Sequence, residues 1–365
     1  MNETRRLRAV LAVVVLALVV AVAAFAWGRT DDSADRGADS DAPSGARPTD
    51  EPSPSQANPG QSEPVSHVIA VSVDALSVPA IRKLGPTGTP VLHRLIDEGS
   101  STLNARSAFE QNVTLPNHAG MITGRRISAG HGGHGVTWNV DRPHDTVQAS
   151  SGDPEIESIF SVAHDHGLST ALYASKDKFD IFTDSWPDSI DTVHVLEDDG
   201  ELVTDLIDQL DDELPALTFL HLDAPDATGH EFGGMSPEYL AAVTDTDEQL
   251  GRLVDALEER PEVDGSTTIV LTADHGFIAG ATTHSAHVRA NYTIPFVVWG
   301  SHVSSGDLYA INRRYADPGT SRPSYAGRQP VRNLDLADVA MEALGLPDVV
   351  DRRGRPDLRW RTPVS

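Results

Sequence analysis

The chain has 365 residues and a formal net charge of −26, from 54 acidic against 28 basic side chains. A surface this acidic repels polyanions, which excludes a nucleic-acid scaffold as the main partner; an acid-rich exterior suited to a salty medium accounts for the charge. There is no cysteine, so disulfides, thiolate metal sites and lipidated-cysteine anchors are excluded, and any metal must be held by histidine and carboxylate.

The N-terminus opens with a basic flank, residues 1–8, carrying Arg5, Arg6 and Arg8, followed by nineteen uncharged residues from Ala9 to Trp27. As a helix that stretch would span roughly 28 Å, close to the thickness of a bilayer's hydrocarbon core. The basic flank orients it with the N-terminus inside and the remainder outside. The expectation is an uncleaved single-pass signal anchor at the cell membrane over residues 9–27. The alternative is a secreted chain cleaved after Ala24-Phe25-Ala26. Residues 28–64 are dense in Asp, Ser, Pro, Gly and Ala, cannot bury enough apolar surface to offset their ordering entropy, and read as a disordered tether. Residues 65–365 are then one catalytic domain.

Within that domain short β-branched runs alternate with helical periods. Strands are expected at 68–73, 170–174, 218–222, 268–272 and 294–299. Helices are expected through 91–96, closed by Gly99, and near 155–165, 201–210, 237–259 and 334–344. Such alternation implies a mostly parallel sheet with helices on both faces. Ligands of such sheets gather at the carboxyl ends of the strands, so the residues placed there carry the functional reading.

The first strand ends in Asp74. An acid closing an apolar run must be paired, bind a metal, or sit just outside the core. The next candidate is Asn112-Val113-Thr114-Leu115-Pro116-Asn117-His118. Thr114 reads first as the N-cap of a helix, and also as a nucleophile whose hydroxyl is activated by a metal at a helix N-terminus that favours an anion. The segment from Gly130 to Asn139 reads either as a flexible loop with two exposed histidines or as a close-approach loop presenting the Asn139 amide to a phosphoryl oxygen.

After the strand at 218–222 come Asp226 and His230, four residues apart, a spacing that brings both to one side of a helical turn. The strand at 268–272 leads into Asp274-His275-Gly276. Two further histidines, His284 and His287, precede the last of these strands, and either would serve as a ligand. Three carboxylates and three or four imidazoles are enough for two metals; with oxygen and nitrogen donors and no sulfur, zinc is the leading choice, manganese or iron the others.

The ordered set of Asp74, Thr114-Leu115-Pro116-Asn117-His118, His134-Gly135 with Asn139, Asp226 with His230, Asp274-His275-Gly276 and a late histidine resembles the alkaline phosphatase superfamily. Within it, the chain is most similar to the nucleotide pyrophosphatase/phosphodiesterase branch. The resemblance runs from about Val68 to Leu346. It implies a three-layer α/β/α sandwich, with Asp74, Thr114, Asp274 and His275 around one zinc and Asp226, His230 and His284 around a second. His284 is preferred to His287 because the stretch from His284 to Pro295 matches the family's ligand and following strand. Asn139 matches the asparagine that contacts the phosphoryl group, while Asn117 and His118 match structural parts of the nucleophile's turn.

The activity implied is cleavage of phosphodiester or pyrophosphate bonds in nucleotides or related small phosphate esters, with Thr114 attacking phosphorus and water hydrolysing the phosphothreonine. The Ser nucleophile of one neighbouring branch and the Cys or Ser of the sulfatases do not fit Thr114-Leu115-Pro116-Asn117. Membrane-bound phosphoethanolamine transferases share the threonine, usually with a more extensive anchor. The alternatives are a monoesterase or other phospho-transfer member, with Arg125 and Arg126 against a phosphate dianion or simply at the surface, and a non-catalytic surface protein that keeps the fold. Trp138, Tyr173, Phe179 and Phe182 are candidates for the wall of a substrate pocket.

Overall fold

A computed structural model describes residues 67–140, 145–350 and 356–361 of the chain. The expected membrane anchor over 9–27 and the tether over 28–64 lie outside the described residues. Among the described residues no helix is long and apolar enough to cross a membrane.

Among the described residues eight strands form one sheet: β1 (His67–Val73), β2 (Ser100–Arg106), β3 (Thr170–Ala174), β4 (Thr192–Val195), β5 (Leu217–Leu222), β6 (Thr267–Thr272), β7 (Thr293–Gly300) and β8 (Gly306–Asp307). Their order across the sheet is β4-β3-β5-β1-β6-β7-β2-β8. The five strands from β4 to β6 run parallel, and β7 is antiparallel to both its neighbours, β6 and β2. The sheet is therefore mixed but mostly parallel, an α/β architecture of the alkaline-phosphatase type.

The reason lies in the strand sequences. Successive residues of a strand point to opposite faces, and every residue of β5 and β6 and all of β1 after His67 is buried, so helices cover both faces of the sheet. The five expected strands form. The chain adds β2, β4 and β8, which the apolar pattern does not announce. β2 reads Ser-Ser-Thr-Leu-Asn-Ala-Arg and carries an irregular register between Thr102 and Ala105; β4 is a four-residue edge with no buried side chain.

The helices Pro90–Glu98, Asp199–Asp212, Pro237–Glu258 and Asp335–Ala343 fall where the 3.6-residue period places helix or within a turn of it, and the helix Val78–Gly88 is an addition the sequence reading did not include. The expected helix at 155–165 starts later, at Ile159. Ser158 and Ser161 form a reciprocal capping box there, which satisfies the first free N–H groups and sets the start.

The fold's relevance to function is a matter of adjacency. β3, β5, β1 and β6 are consecutive neighbours and point the same way, so residues just past their carboxyl ends meet although they are separated by about 50 to 200 positions in sequence.

Candidate metal centre and active site

Asp74 leaves the end of β1 fully buried. The next residue, Ala75, takes a left-handed conformation with φ 60°, which costs a non-glycine residue roughly 1–2 kcal/mol. That turn is held on both sides. Ala75 N–H donates to Asp274 Oδ1 at 3.0 Å and its carbonyl accepts from the Tyr239 hydroxyl at 2.6 Å. The strain is thereby tied to a bond between the ends of β1 and β6. Asp274 Oδ1 also accepts the His275 N–H at 2.8 Å, so its other oxygen, Oδ2, is left facing inward. Gly276 is required by close approach: a Cβ there would lie 2.3 Å from the Ala290 carbonyl, and its N–H donates to Asn291 O.

Around these strand ends the donors form two clusters. In the first, Asp74 Oδ1 lies 3.5 Å and Asp274 Oδ2 3.0 Å from His275 Nε2. All three atoms are buried and none has a directed hydrogen-bond partner among the described residues. In the second, Asp226 Oδ1 lies 3.5 Å from His230 Nε2 and 3.6 Å from His284 Nε2, and the two Nε2 atoms are 3.2 Å apart. His230 Nδ1 donates to Thr282 O and His284 Nδ1 donates to Asn112 O, each at 2.8 Å. Those bonds fix the tautomer, so two imidazole lone pairs face each other and a carboxylate oxygen. Such an arrangement is repulsive unless a cation lies between the donors. The clusters adjoin, since the His275 and His284 rings stack with centroids 3.5 Å apart. His, Asp and no sulfur form a donor set that suits zinc.

The electrostatics agree with a site short of positive charge. Burial alone would lower the His275 imidazole, but Asp274, Asp74 and Asp226 outweigh it and push it up to about 9. Burial would raise the Asp74 carboxyl, yet Lys176, His221 and His275 hold it well below the usual carboxylate range. His284, by contrast, is pushed down to about 3 by burial and by the neighbouring His275.

Thr114 is buried and is the first residue of the helix Thr114–Thr123; the extended Val113, not Thr114, holds the cap position. The cap reading of Thr114 is therefore corrected. The hydroxyl belongs to the first helical residue, and no side chain of Val113 competes for the N–H groups behind it. Asn139 fills that gap from another loop: its Oδ1 accepts the Leu115 N–H at 3.0 Å, leaving the NH2 end of the amide as the group it can offer outward. His118 ties the helix to the first cluster, with Nδ1 donating to Thr114 O at 2.8 Å and lying 3.9 Å from Asp274 Oδ2, and Nε2 bonded to Ser72 Oγ. Asn117 holds the approach to Thr114 through the carbonyls of Gln111 and Val113 and the N–H of Ala108.

The Gly130–Asn139 segment is exposed at Gly130–Gly132 and closely packed at Gly133 and Gly135. A Cβ at Gly133 would lie 2.2 Å from Arg126 O, and at Gly135, where φ is +75°, 2.0 Å from Ser150 O. His134 is wholly buried beneath it and burial pushes it down to about 3, while His131 is exposed. The other expectations divide. His284 is buried in the second cluster, whereas His287 is exposed. Arg125 and Arg126 are half-buried and paired with Asp153 and Glu110. Tyr173, Phe179 and Phe182 are corrected from pocket wall to core, each with no exposed surface; Phe179 packs its ring against His118 and His221 beneath the clusters. Trp138 packs half-buried against the core.

Four residues near the centre escaped the sequence reading. Lys176 follows β3 and lies 2.7 Å from both Asp74 Oδ2 and Asp226 Oδ2, with Asp223 Oδ1 as a third partner. His221, inside β5, reaches Asp74 Oδ2 at 3.2 Å. Asn333 donates to Asn117 Oδ1 at 2.9 Å. The signal for Lys176 and Asp223 was present, because both stand just beyond the carboxyl end of a strand; His221 and Asn333 carried none.

A mostly parallel sheet bearing two adjoining histidine–carboxylate clusters at its strand ends, with a threonine at a neighbouring helix start, defines a protein of the alkaline phosphatase superfamily. Residues 68–336 match the type I phosphodiesterase/nucleotide pyrophosphatase family, and the chain belongs to it. Among solved structures it is similar to murine ectonucleotide pyrophosphatase/phosphodiesterase 5 in complex with AMP, at 14% identity and a TM-score of 0.57, covering 78% of this chain and 96% of that one. Among curated relatives, GPI ethanolamine phosphate transferase 1 of Gibberella zeae is 32% identical over 117 residues, and mouse ectonucleotide pyrophosphatase/phosphodiesterase family member 1 is 25% identical over 206. The matched segments cover 32% and 53% of this chain but only 11% and 22% of those longer proteins.

Proposed function

We propose that the chain is a metal-dependent hydrolase of phosphodiester or pyrophosphate bonds acting through a phosphothreonine at Thr114. The observation that carries this reading is the pair of facing imidazole lone pairs and orphaned carboxylate oxygens beside the helix that begins with Thr114. Asp74, Thr114, Asp274 and His275 would hold one ion, and Asp226, His230 and His284 the other. When bound, two divalent ions polarise the phosphoryl oxygens and make the threonine hydroxyl acidic.

The chain's own residues do the rest. Thr114 Oγ forms a bond to phosphorus as the bond to the leaving alcohol or phosphate breaks, and the leaving oxygen ends protonated. Water then cleaves the phosphothreonine, restoring the hydroxyl. The Asn139 NH2, turned outward by the bond at Oδ1, donates to a phosphoryl oxygen, and the helix N-terminus behind Thr114 favours the anion. A nucleotide is the first substrate class to try, since the structural neighbour binds AMP. Arg125 and Arg126 are each engaged by a carboxylate, which favours a diester over a phosphate dianion.

The likeness to an ethanolamine phosphate transferase supports a second reading in which an alcohol replaces water in the second step. The segment at 9–27 would anchor the domain outside the membrane, or be cleaved to release it; labelling of the domain by an impermeant reagent on intact cells, with and without washing, separates these. The activity is tested by incubating the purified chain, loaded with zinc, with an aryl phosphodiester, the matching monoester and a dinucleoside pyrophosphate. Diester turnover that disappears in Thr114→Ala is the expected result. A monoester preference moves the chain to the phosphatase reading, and Thr114→Ala behaving as the native chain sinks the mechanism.

A further inference from the structure

Beside the two clusters lies a third group of potential ligands, Asp74, His221 and Asp223, whose donor atoms lie within 4.8 Å of one another. It differs from the other two in one respect: a lysine is already in it. Lys176 Nζ touches Asp74 Oδ2 and Asp226 Oδ2 at 2.7 Å each and Asp223 Oδ1 as well, with only 14% of its side chain exposed. Its bonds sort the oxygens. The Oδ2 atoms of Asp74 and Asp226 are taken by the ammonium, and the Oδ1 atoms of the same two residues are the orphaned ones that face His275 and the His230–His284 pair. One side chain thus orients one carboxylate from each cluster.

We propose that Lys176 is a positioning residue that stands in for a third cation: it fills the Asp74/His221/Asp223 group, limits the centre to two metal ions, and turns Oδ1 of Asp74 and Asp226 toward them. This rests on the two-ion reading of the site given above. The physical argument is charge and geometry. Three carboxylates meeting in a mostly dry space need compensation, and a tethered ammonium supplies one unit of charge with three donors while occupying the space an ion would need. Removing it leaves two carboxylates and an imidazole in the donor set of an ordinary divalent site.

The test counts ions and needs no turnover. The purified full chain is stripped with chelator, reloaded with zinc alone, and assayed for bound metal per chain by mass spectrometry and by calorimetric titration. The native chain should take two ions, Lys176→Met three, and Lys176→Arg, which restores a cation, two. The double variant Lys176→Met/Asp223→Asn, with one ligand of the third group removed, should return to two. Where Lys176→Met does not fold, Lys176→Gln keeps a donor for the carboxylates and is read the same way. Two ions or fewer in the folded uncharged variant, beside two in the native chain, overturns the role of Lys176 and leaves the proposed function standing. A native chain that takes up no pair of ions overturns both.

Discussion

The two ligand clusters share chemistry and differ in construction. Asp74, Asp274 and His275 sit at the ends of neighbouring strands, wholly buried, with the Asp274 carboxylate bonded to two backbone N–H groups and the Ala75 turn locked behind it. Asp226, His230 and His284 come from a helix and a loop. The His230 side chain is 46% exposed, and the histidines are oriented by single bonds to the carbonyls of Thr282 and Asn112. The first cluster is part of the core and is fixed when the sheet forms. The second is completed by the exposed His230 over the buried Asp226 and His284, so its geometry can be lost at that residue while the fold survives. An ion in the inner cluster should accordingly exchange slowly and one in the outer cluster quickly.

The largest effect tests what both clusters serve. Thr114→Ala should lower diester hydrolysis by about 10⁴-fold or more, the scale seen when a covalent nucleophile is removed, with bound metal still present by elemental analysis. Loss of metal together with activity would show the hydroxyl to be needed mainly as a ligand. The contrast between the clusters comes next. Asp274→Asn removes a charge that the buried His275 requires, and should cost about 3–5 kcal/mol, lowering Tm by on the order of 10 °C in calorimetry. His230→Asn, at an exposed position, should leave Tm within about 2 °C while weakening zinc binding at least about 10-fold. Equal losses of Tm would erase the distinction between core-built and surface-built clusters.

Asn139→Ala is expected to act on both sides of this divide. It removes the acceptor of the Leu115 N–H, costing about 1 kcal/mol of stability, and it removes a donor to the phosphoryl group, costing about 10²-fold in kcat. Asn139→Asp keeps the acceptor and loses the donor, so it should retain the stability and not the rate. The smallest effect is a pH slope. His134 is buried outside both clusters, and its imidazole is held down to about 3 by burial from an ordinary 6.5. Between those values the unfolded chain binds the proton and the folded chain does not. Its contribution is thus present above pH 6.5 and lost as pH falls toward 3, by at most about 1.4 kcal/mol per pH unit. His134→Gln should remove one proton from the slope of unfolding free energy against pH; an unchanged slope would assign the acid sensitivity to other groups.

What could be read in the sequence follows from where information is local. The buried strands announce themselves because their side chains are apolar on both faces, and the candidate ligands Asp74, Asp226, Asp274 and His275 were legible because each follows such a run or stands one helical turn past it. β2 and β4 were not legible, since both are part-polar strands at or next to the sheet's edge; β2 pairs with β7 almost 200 positions away, and β4 has no buried side chain to mark it. The choice of His284 over His287 rested on resemblance; in the fold Asn291 Nδ2 donates to the carbonyl of His284 and Asn112 O accepts from its ring, which turns that imidazole toward Asp226. The aromatics Tyr173, Phe179 and Phe182 looked like pocket wall because sequence cannot tell an aromatic that lines a cavity from one that supports its floor.

By itself the sequence determined the chemistry on offer: histidine and carboxylate without thiol, a threonine at a helix start, and strands whose carboxyl ends deliver the candidate ligands. It did so because periodicity and residue type are properties of a few neighbouring positions. Only the tertiary structure decided which oxygen of each carboxylate faces which imidazole, that Lys176 takes the other oxygens, and that one cluster is wholly buried while the other exposes His230. Those choices depend on the strand order β3-β5-β1-β6 and on hydrogen bonds between residues 50 to 200 positions apart. No local pattern encodes contacts of that range.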